Sequence, residues 1–155
     1  MTSFTLNDQL PDLTVATTQQ AELPLSSLQG KNVVLYFYPK DNTPGCTQEG
    51  QDFAALYEQF QALNTEILGV SKDSLKKHSN FIEKYNFPFD LIADENETLC
   101  QALDVIKEKN MYVRKYMGIE RSTFVFDSKG ILRAEFRKVR VKGHVDAVLE
   151  AVQQL

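Results

Sequence analysis

The run Val33-Val34-Leu35-Tyr36-Phe37-Tyr38 constrains the fold more than any other stretch of the chain. Its apolar and aromatic residues follow one another without polar interruption and are rich in β-formers, so the segment reads as a strand covered on both faces. A strand of that kind belongs inside a sheet with helices packed against it.

The neighbouring patterns supply such helices. Past the loop Pro39-Lys40-Asp41-Asn42-Thr43-Pro44-Gly45, the residues Phe53, Leu56, Tyr57, Phe60 and Leu63 recur at helical spacing and predict a helix from near Cys46 to about Asn64. Ile67 to Val70 then predicts a strand, Leu75, Ile82 and Tyr85 a helical stripe, and Phe89 to Ile92 another short strand. This alternation favours parallel pairing through helical crossovers. Asn96 is placed to cap a short helix carrying Leu99, Cys100 and Leu103, and a charged connection follows from about Lys107 to Glu120. Thr123 to Phe126 and Ile131 to Phe136 flank the turn signal Asp127-Ser128-Lys129-Gly130, which predicts an antiparallel hairpin. Val145, Val148, Leu149, Val152 and Leu155 mark a closing amphipathic helix. With no repeat and no linker, residues 1–155 read as a single α/β domain in the element order of a thioredoxin-like fold, a central mixed sheet flanked by helices.

A chain of 155 residues can bury a core without disulfides or metals. Its formal charge of -4 provides no general field for nucleic acid or anionic lipid, leaving only local patches such as Arg133 to Lys142. No stretch approaches the ~20 apolar residues that span a bilayer, and the N-terminus lacks the pattern of a secretory signal, so the expected address is the cytoplasm. The two cysteines, Cys46 and Cys100, are too few for a disulfide framework and in a reducing compartment are expected as free thiols. His78 and His144 lack the paired spacing of a zinc site, so neither a metal nor another cofactor is expected.

Cys46 falls at the first turn of a predicted helix, where unpaired N–H groups and the positive end of the macrodipole favour thiolate over thiol. Thr43, in the loop before it, has a hydroxyl able to donate and accept, and Pro39 and Pro44 stiffen that loop. Read alone, a loop-to-helix cysteine is equally a small buried hydrophobe.

The whole string Tyr36-Phe37-Tyr38-Pro39-Lys40-Asp41-Asn42-Thr43-Pro44-Gly45-Cys46-Thr47-Gln48-Glu49 resembles the active-site signature of peroxiredoxins: Pro, three residues, Thr, two residues, Cys. Its form is that of the bacterioferritin comigratory protein, or peroxiredoxin Q, branch. The resemblance extends over nearly the whole chain, including residues 87–94 and Gly118 to Phe124. It implies a thiol-dependent peroxidase acting on hydrogen peroxide and organic hydroperoxides. Cys46 would be the peroxidatic cysteine, Thr43 would bind peroxide oxygen, Pro39 would shield the sulfur, and Arg121 would hold the thiolate and the developing negative charge. The physical logic agrees, since donors fixed around the departing oxygen lower the barrier to O–O cleavage and a guanidinium stays charged. Glu49 either holds Arg121 or complements the helix N-terminus.

Oxidised Cys46 would be a sulfenic acid that a second thiol must reduce. Many members of that branch carry the resolving cysteine five residues on, where this chain has Gln51, and others carry it in the next helix, where Leu75 to Tyr85 contains none. Cys100, between Leu99 and Leu103, is the one remaining candidate for that thiol, and is read instead as a buried inert one. The expectation is a one-cysteine cycle resolved by an external thiol such as thioredoxin or glutaredoxin, in a monomer. Gly50 would ease opening of the helix or serve close packing. A thiol–disulfide oxidoreductase is disfavoured by Glu49 in place of a second cysteine, and a glutathione-peroxidase-like enzyme by the absence of Trp. A non-catalytic thioredoxin-like binding or holdase module is the competing reading. His78 is read as a helix-face residue, His144 as the start of the last helix, and Asp146 and Glu150 as its solvated face. Tyr112, Tyr116 and Met117 precede Arg121 near the expected substrate entrance without a spacing that establishes a role.

Overall fold

The computed structural model describes residues 3–111 and 114–155. In chain order the strands and helices are β1 (Thr14–Thr17), β2 (Leu23–Pro24), a 3-10 turn at Leu25–Leu28, β3 (Asn32–Phe37), α1 (Pro44–Ala55), α2 (Tyr57–Ala62), β4 (Thr65–Ser71), α3 (Leu75–Tyr85), β5 (Asp90–Ala93), α4 (Thr98–Ala102), β6 (Ile106–Met111), β7 (Arg114–Ile119), β8 (Ser122–Phe126), β9 (Leu132–Phe136) and α5 (His144–Gln153). One mixed sheet runs β2-β1-β5-β4-β3-β8-β9, and β6 and β7 form a separate hairpin. β3, β4 and β5 are parallel, joined by helical crossovers, whereas β8 lies antiparallel to β3 and β9 antiparallel to β8. This is the thioredoxin-like arrangement expected from the order of patterns.

β3 is buried on both sides because its residues alternate between two separate apolar cores. Val33, Leu35 and Phe37 join Phe124, Phe126, Leu99, Cys100 and Leu103 in one core. Val34 and Tyr36, with Tyr38 just past the strand, join Cys46, Phe53, Phe60, Phe81 and the α5 residues Val145, Val148 and Val152 in the other. The two cysteines therefore lie on opposite faces of the sheet, both buried.

Several local expectations are corrected. The helix predicted from Cys46 to about Asn64 is two helices, interrupted at Leu56, where φ is -105° and ψ 7°. The charged connection from Lys107 to Glu120 is the β6–β7 hairpin, with Lys109 opposite Tyr116 and Ile106 opposite Ile119. Asn96 does not cap α4; the Asp94 carboxylate accepts from the N–H groups of Leu99 and Cys100 at 3.1 and 2.7 Å. The N-terminal strands β1 and β2 were not marked by any sequence pattern. The hairpin of β8 and β9 forms as expected, closed by Gly130 N–H to Asp127 C=O at 2.9 Å, with Gly130 at φ +79°.

Among the described residues no helix is long and apolar enough to cross a membrane. Gly69 of β4 sits beneath the Tyr36 ring, and a Cβ there would lie 2.6 Å from Leu91 Cδ2 and 2.8 Å from Tyr36 Cζ. Overpacking of this kind costs about 1–3 kcal/mol. Gly69→Ala should lower the unfolding free energy by that amount, read as a lower urea midpoint with an unchanged slope; an unchanged midpoint would show that Leu91 and the Tyr36 ring yield freely.

Candidate active site

The segment between β3 and α1 turns at Asn42, which takes φ +61°, a left-handed value that Asn tolerates better than most residues. Pro44 follows as the first residue of α1, where its fixed φ suits the helix and its missing N–H costs nothing. Thr43 stands at the N-cap in extended conformation but supplies no side-chain cap. Its hydroxyl donates instead to the Lys40 carbonyl at 2.9 Å, so the oxygen keeps its lone pairs and has no proton left to give. The Thr47 N–H bonds the Thr43 carbonyl at 2.8 Å, and the amides of Gly45 and Cys46 precede it at the positive end of the helix.

Cys46 is 2% exposed, and Arg121 Nη2 donates to its sulfur at 3.3 Å. Arg121 lies immediately before β8, with its carbonyl accepting from Val139 N–H at 3.0 Å. Its other terminal nitrogen, Nη1, donates to Glu49 Oε1 at 2.6 Å. Glu49 is fully buried one helical turn beyond Cys46, so of its two open readings the structure selects the holding of Arg121. The guanidinium is thus fixed between a carboxylate and a sulfur. Gly45 permits the approach: a Cβ there would stand 3.2 Å from Arg121 Nη2. The sequence reading missed this glycine, although its place directly before the cysteine was a signal.

Burial pushes the Glu49 carboxyl up to about 7, against the pull of Arg121. Burial by itself lowers Arg121, but Glu49 and the Cys46 sulfur outweigh it and leave the guanidinium above its ordinary value. Glu49 Oε2 has no hydrogen-bond partner among the described residues and lies 3.8 Å from His144 Nε2. His144 starts α5 as expected, but it is buried, with Nε2 2.7 Å from Thr123 Oγ1. Burial, and then Arg121, lower it to about 4, so it is neutral at neutral pH.

The structure brings Cys46 and Arg121 into direct contact and sets Pro39 and Thr43 on the loop beside them, with no hydrogen bond from Thr43 to the sulfur among the described residues. Gly50 serves close packing, since a Cβ there would meet Phe87 Cζ at 2.6 Å. Asp146 and Glu150 are exposed on α5 as expected. His78 lies on α3 as expected, but on its inner face: it is fully buried and bonded to Asp41 and to the Ile92 carbonyl. Tyr116 and Met117 are exposed on β7, and Tyr112 lies outside the described residues. The Cys100 thiol is pushed well up by burial and by the Asp94 carboxylate. Among the described residues no group of three or more His, Cys, Asp and Glu could hold a metal ion.

Comparison with known proteins places this geometry among relatives. The AhpC/TSA family profile matches residues 6–135. A Peroxiredoxin Bcp of Xanthomonas campestris is 50% identical over 142 residues, covering 92% of this chain and 89% of that protein. A Peroxiredoxin Bcp of Bacillus subtilis is 46% identical over 150 residues, covering 97% of this chain and 96% of that one. A solved structure of the Xanthomonas campestris bacterioferritin comigratory protein, studied for its alkyl peroxide reduction activity, superposes with a TM-score of 0.89 at 47% identity, covering 95% of this chain and 98% of that one.

The raised Glu49 has a measurable consequence. An acid held above its ordinary value favours its neutral form in the folded state, so its contribution to stability is full below 4.5 and is lost as pH rises through about 7. Urea unfolding of wild type and Glu49→Gln across that window should show the wild type losing stability relative to the variant as pH rises. Parallel profiles would mean that Arg121 holds Glu49 ionised throughout.

Proposed function

Because the chain belongs to the AhpC/TSA family and is a peroxiredoxin, a thiol-dependent peroxidase, we propose that Cys46 is the thiolate that attacks the peroxide. The observation that carries this assignment is the 3.3 Å contact between Arg121 Nη2 and the Cys46 sulfur, with Glu49 fixing the guanidinium from behind. Sγ attacks one oxygen of the O–O bond, an S–O bond forms as O–O breaks, and the departing oxygen leaves as water or an alcohol after taking a proton. Sulfur is oxidised to sulfenic acid and the peroxide is reduced.

Each neighbour has a distinct part in that step. Arg121 stabilises negative charge first on sulfur and then on the departing oxygen, and the Gly45 and Cys46 amides add donors that need no reorganisation. Thr43, whose proton is committed to Lys40, acts as an acceptor for the O–H of the incoming hydroperoxide. Pro39 keeps bulk water from the sulfur and offers no competing N–H. With Glu49 near the middle of its titration at neutral pH, the charge of Arg121 is only partly offset and more of it acts on sulfur.

We infer that the cycle uses one cysteine. Cys100 belongs to the core on the opposite side of the sheet, so a disulfide with Cys46 would require the sheet itself to come apart. An external thiol, thioredoxin or glutaredoxin in class, therefore attacks the sulfenic acid, releases water and forms a mixed disulfide that a second thiol resolves. Cys46 is 2% exposed, so the first turn of α1 must open for that thiol, and a helix start without a side-chain cap lacks about 1 kcal/mol of restraint. We propose further that residues 1–155 act as one domain, in the cytoplasm, as a monomer that binds neither nucleic acid nor membrane, in keeping with the net charge of -4. Hydrogen peroxide and organic hydroperoxides are the proposed substrates.

Three measurements test the reading. Cys46→Ser should abolish peroxide consumption with dithiothreitol present; a rate equal to wild type would instead favour a binding or holdase module. After one equivalent of peroxide, non-reducing mass analysis should find sulfenic acid at Cys46, and an abundant Cys46 to Cys100 disulfide would overturn the one-cysteine cycle. Gly45→Ala, by displacing the guanidinium, should slow the peroxide reaction by about tenfold, in line with the sensitivity of oriented sites to small misplacements.

A further inference from the structure

The loop carrying Pro39 and Thr43 is braced from behind by α3, and the brace uses a buried histidine that the proposed reaction does not. Two consecutive loop residues are tied to that helix. The Asn42 side-chain oxygen accepts from Lys84 Nζ at 3.3 Å and from the Tyr85 hydroxyl at 3.1 Å. Asp41 Oδ2 lies 2.6 Å from His78 Nδ1, and its Oδ1 accepts from the Tyr38 hydroxyl at 2.6 Å. The Asp41 amide donates to Asp73 Oδ2 at 2.8 Å, and the Ser71 hydroxyl donates to the same oxygen at 2.7 Å.

His78 is fully buried and Asp41 nearly so. His78 Nε2 stands 2.9 Å from the Ile92 carbonyl of β5. A carbonyl only accepts, so Nε2 carries a proton, and the single proton on the other side of the ring is held between Nδ1 and Oδ2. The ring therefore bridges three elements: the loop through Asp41, β5 through Ile92, and α3 through its own backbone. Asp41 is two residues before Thr43 and five before Cys46. A shift of His78 moves Asp41, and with it the segment that carries Thr43 and leads into the start of α1.

We propose that His78 is a positioning residue for the peroxidase reaction. Through Asp41 it holds residues 39–46 in the closed geometry in which sulfur, acceptor and donors converge on a peroxide, against the opened form that the external thiol must reach. The proposal rests on the reading of Cys46 as the attacking thiolate. A merely structural histidine would affect stability and leave the two halves of the cycle in proportion. A positioning histidine separates them, because the peroxide step needs the closed loop and the thiol step needs it open.

The test measures both halves on His78→Gln, Asp41→Asn and the double variant, each checked for folding by circular dichroism. The rate of reduced enzyme with hydrogen peroxide should fall about tenfold or more in each single variant, within the ~10²-fold range of small misplacements. The double variant should fall no further, as for residues acting as one unit. Reduction of the Cys46 sulfenic acid by dithiothreitol should be as fast as in wild type or faster. A peroxide rate within twofold of wild type, or both half-reactions falling together, overturns the proposal. Where His78→Gln does not fold, Lys84→Met with Tyr85→Phe releases only the exposed Asn42 end of the brace. That variant must show the same separation in smaller measure, and its absence overturns the proposal equally. Cys46→Ser distinguishes the two failures: continued peroxide consumption in it removes the reading of Cys46, whereas an inactive Cys46→Ser beside an unaffected His78→Gln removes only the role of His78.

Discussion

Burying a carboxylate is costly unless a cation meets it, and Glu49, buried completely on α1, is met by the Arg121 guanidinium. That pairing makes the beginning of α1 and the entry to β8 one unit, although they are 72 residues apart in sequence. It also decides which atoms are left over. One guanidinium nitrogen goes to Glu49 and another is free to meet sulfur, so the arrangement that satisfies a buried acid also presents positive charge to the Cys46 thiol. Gly45 completes it by leaving no Cβ in the path of the guanidinium.

The elements read most clearly from sequence were those whose burial imposes a pattern. β3, β4 and α5 announce themselves because both faces of a central strand, or one face of a helix, must be apolar. The β6–β7 hairpin did not, because it pairs only with itself and leaves Arg114, Lys115, Tyr116 and Met117 exposed, so charged residues dominate a true strand. The break at Leu56 was equally silent, since the apolar spacing runs on through both helices. Of the site, the linear signature carried Cys46, Thr43 and Pro39, and the resemblance added Arg121. The parts that depend on contacts across the fold were not read: Gly45 beneath the guanidinium was marked only by its place before the cysteine, and His78 beneath the loop had no local signal. His78 in particular sits among polar helix residues, and only the placement of Asp41 and Ile92 shows why it is inside.

Polar side chains around the site are partnered in ways that set direction as well as stability. The Thr43 hydroxyl gives its proton to Lys40, Asp41 receives from Tyr38 and faces His78, and Asp73 receives the Asp41 amide. Each choice removes an alternative conformation of the loop, because a buried polar group left without its partner is more costly than the bond itself is favourable. Preorganisation of the segment before Cys46 is thus spread over β3, α3 and β5, while α1 itself begins without a side-chain cap.

The division of β3 between two cores has a consequence for how oxidising equivalents travel. Cys46 and Cys100 lie on opposite faces of the sheet, and on the proposed one-cysteine cycle Cys46 has no internal partner with which to store the oxidation. On the proposed cycle each molecule holds a single two-electron charge and is silent until another thiol collects it. Throughput at high peroxide is then governed by how often a reductant arrives, and every turnover hands the oxidation to a second molecule, so that peroxide removal and the passing of a redox message are the same event.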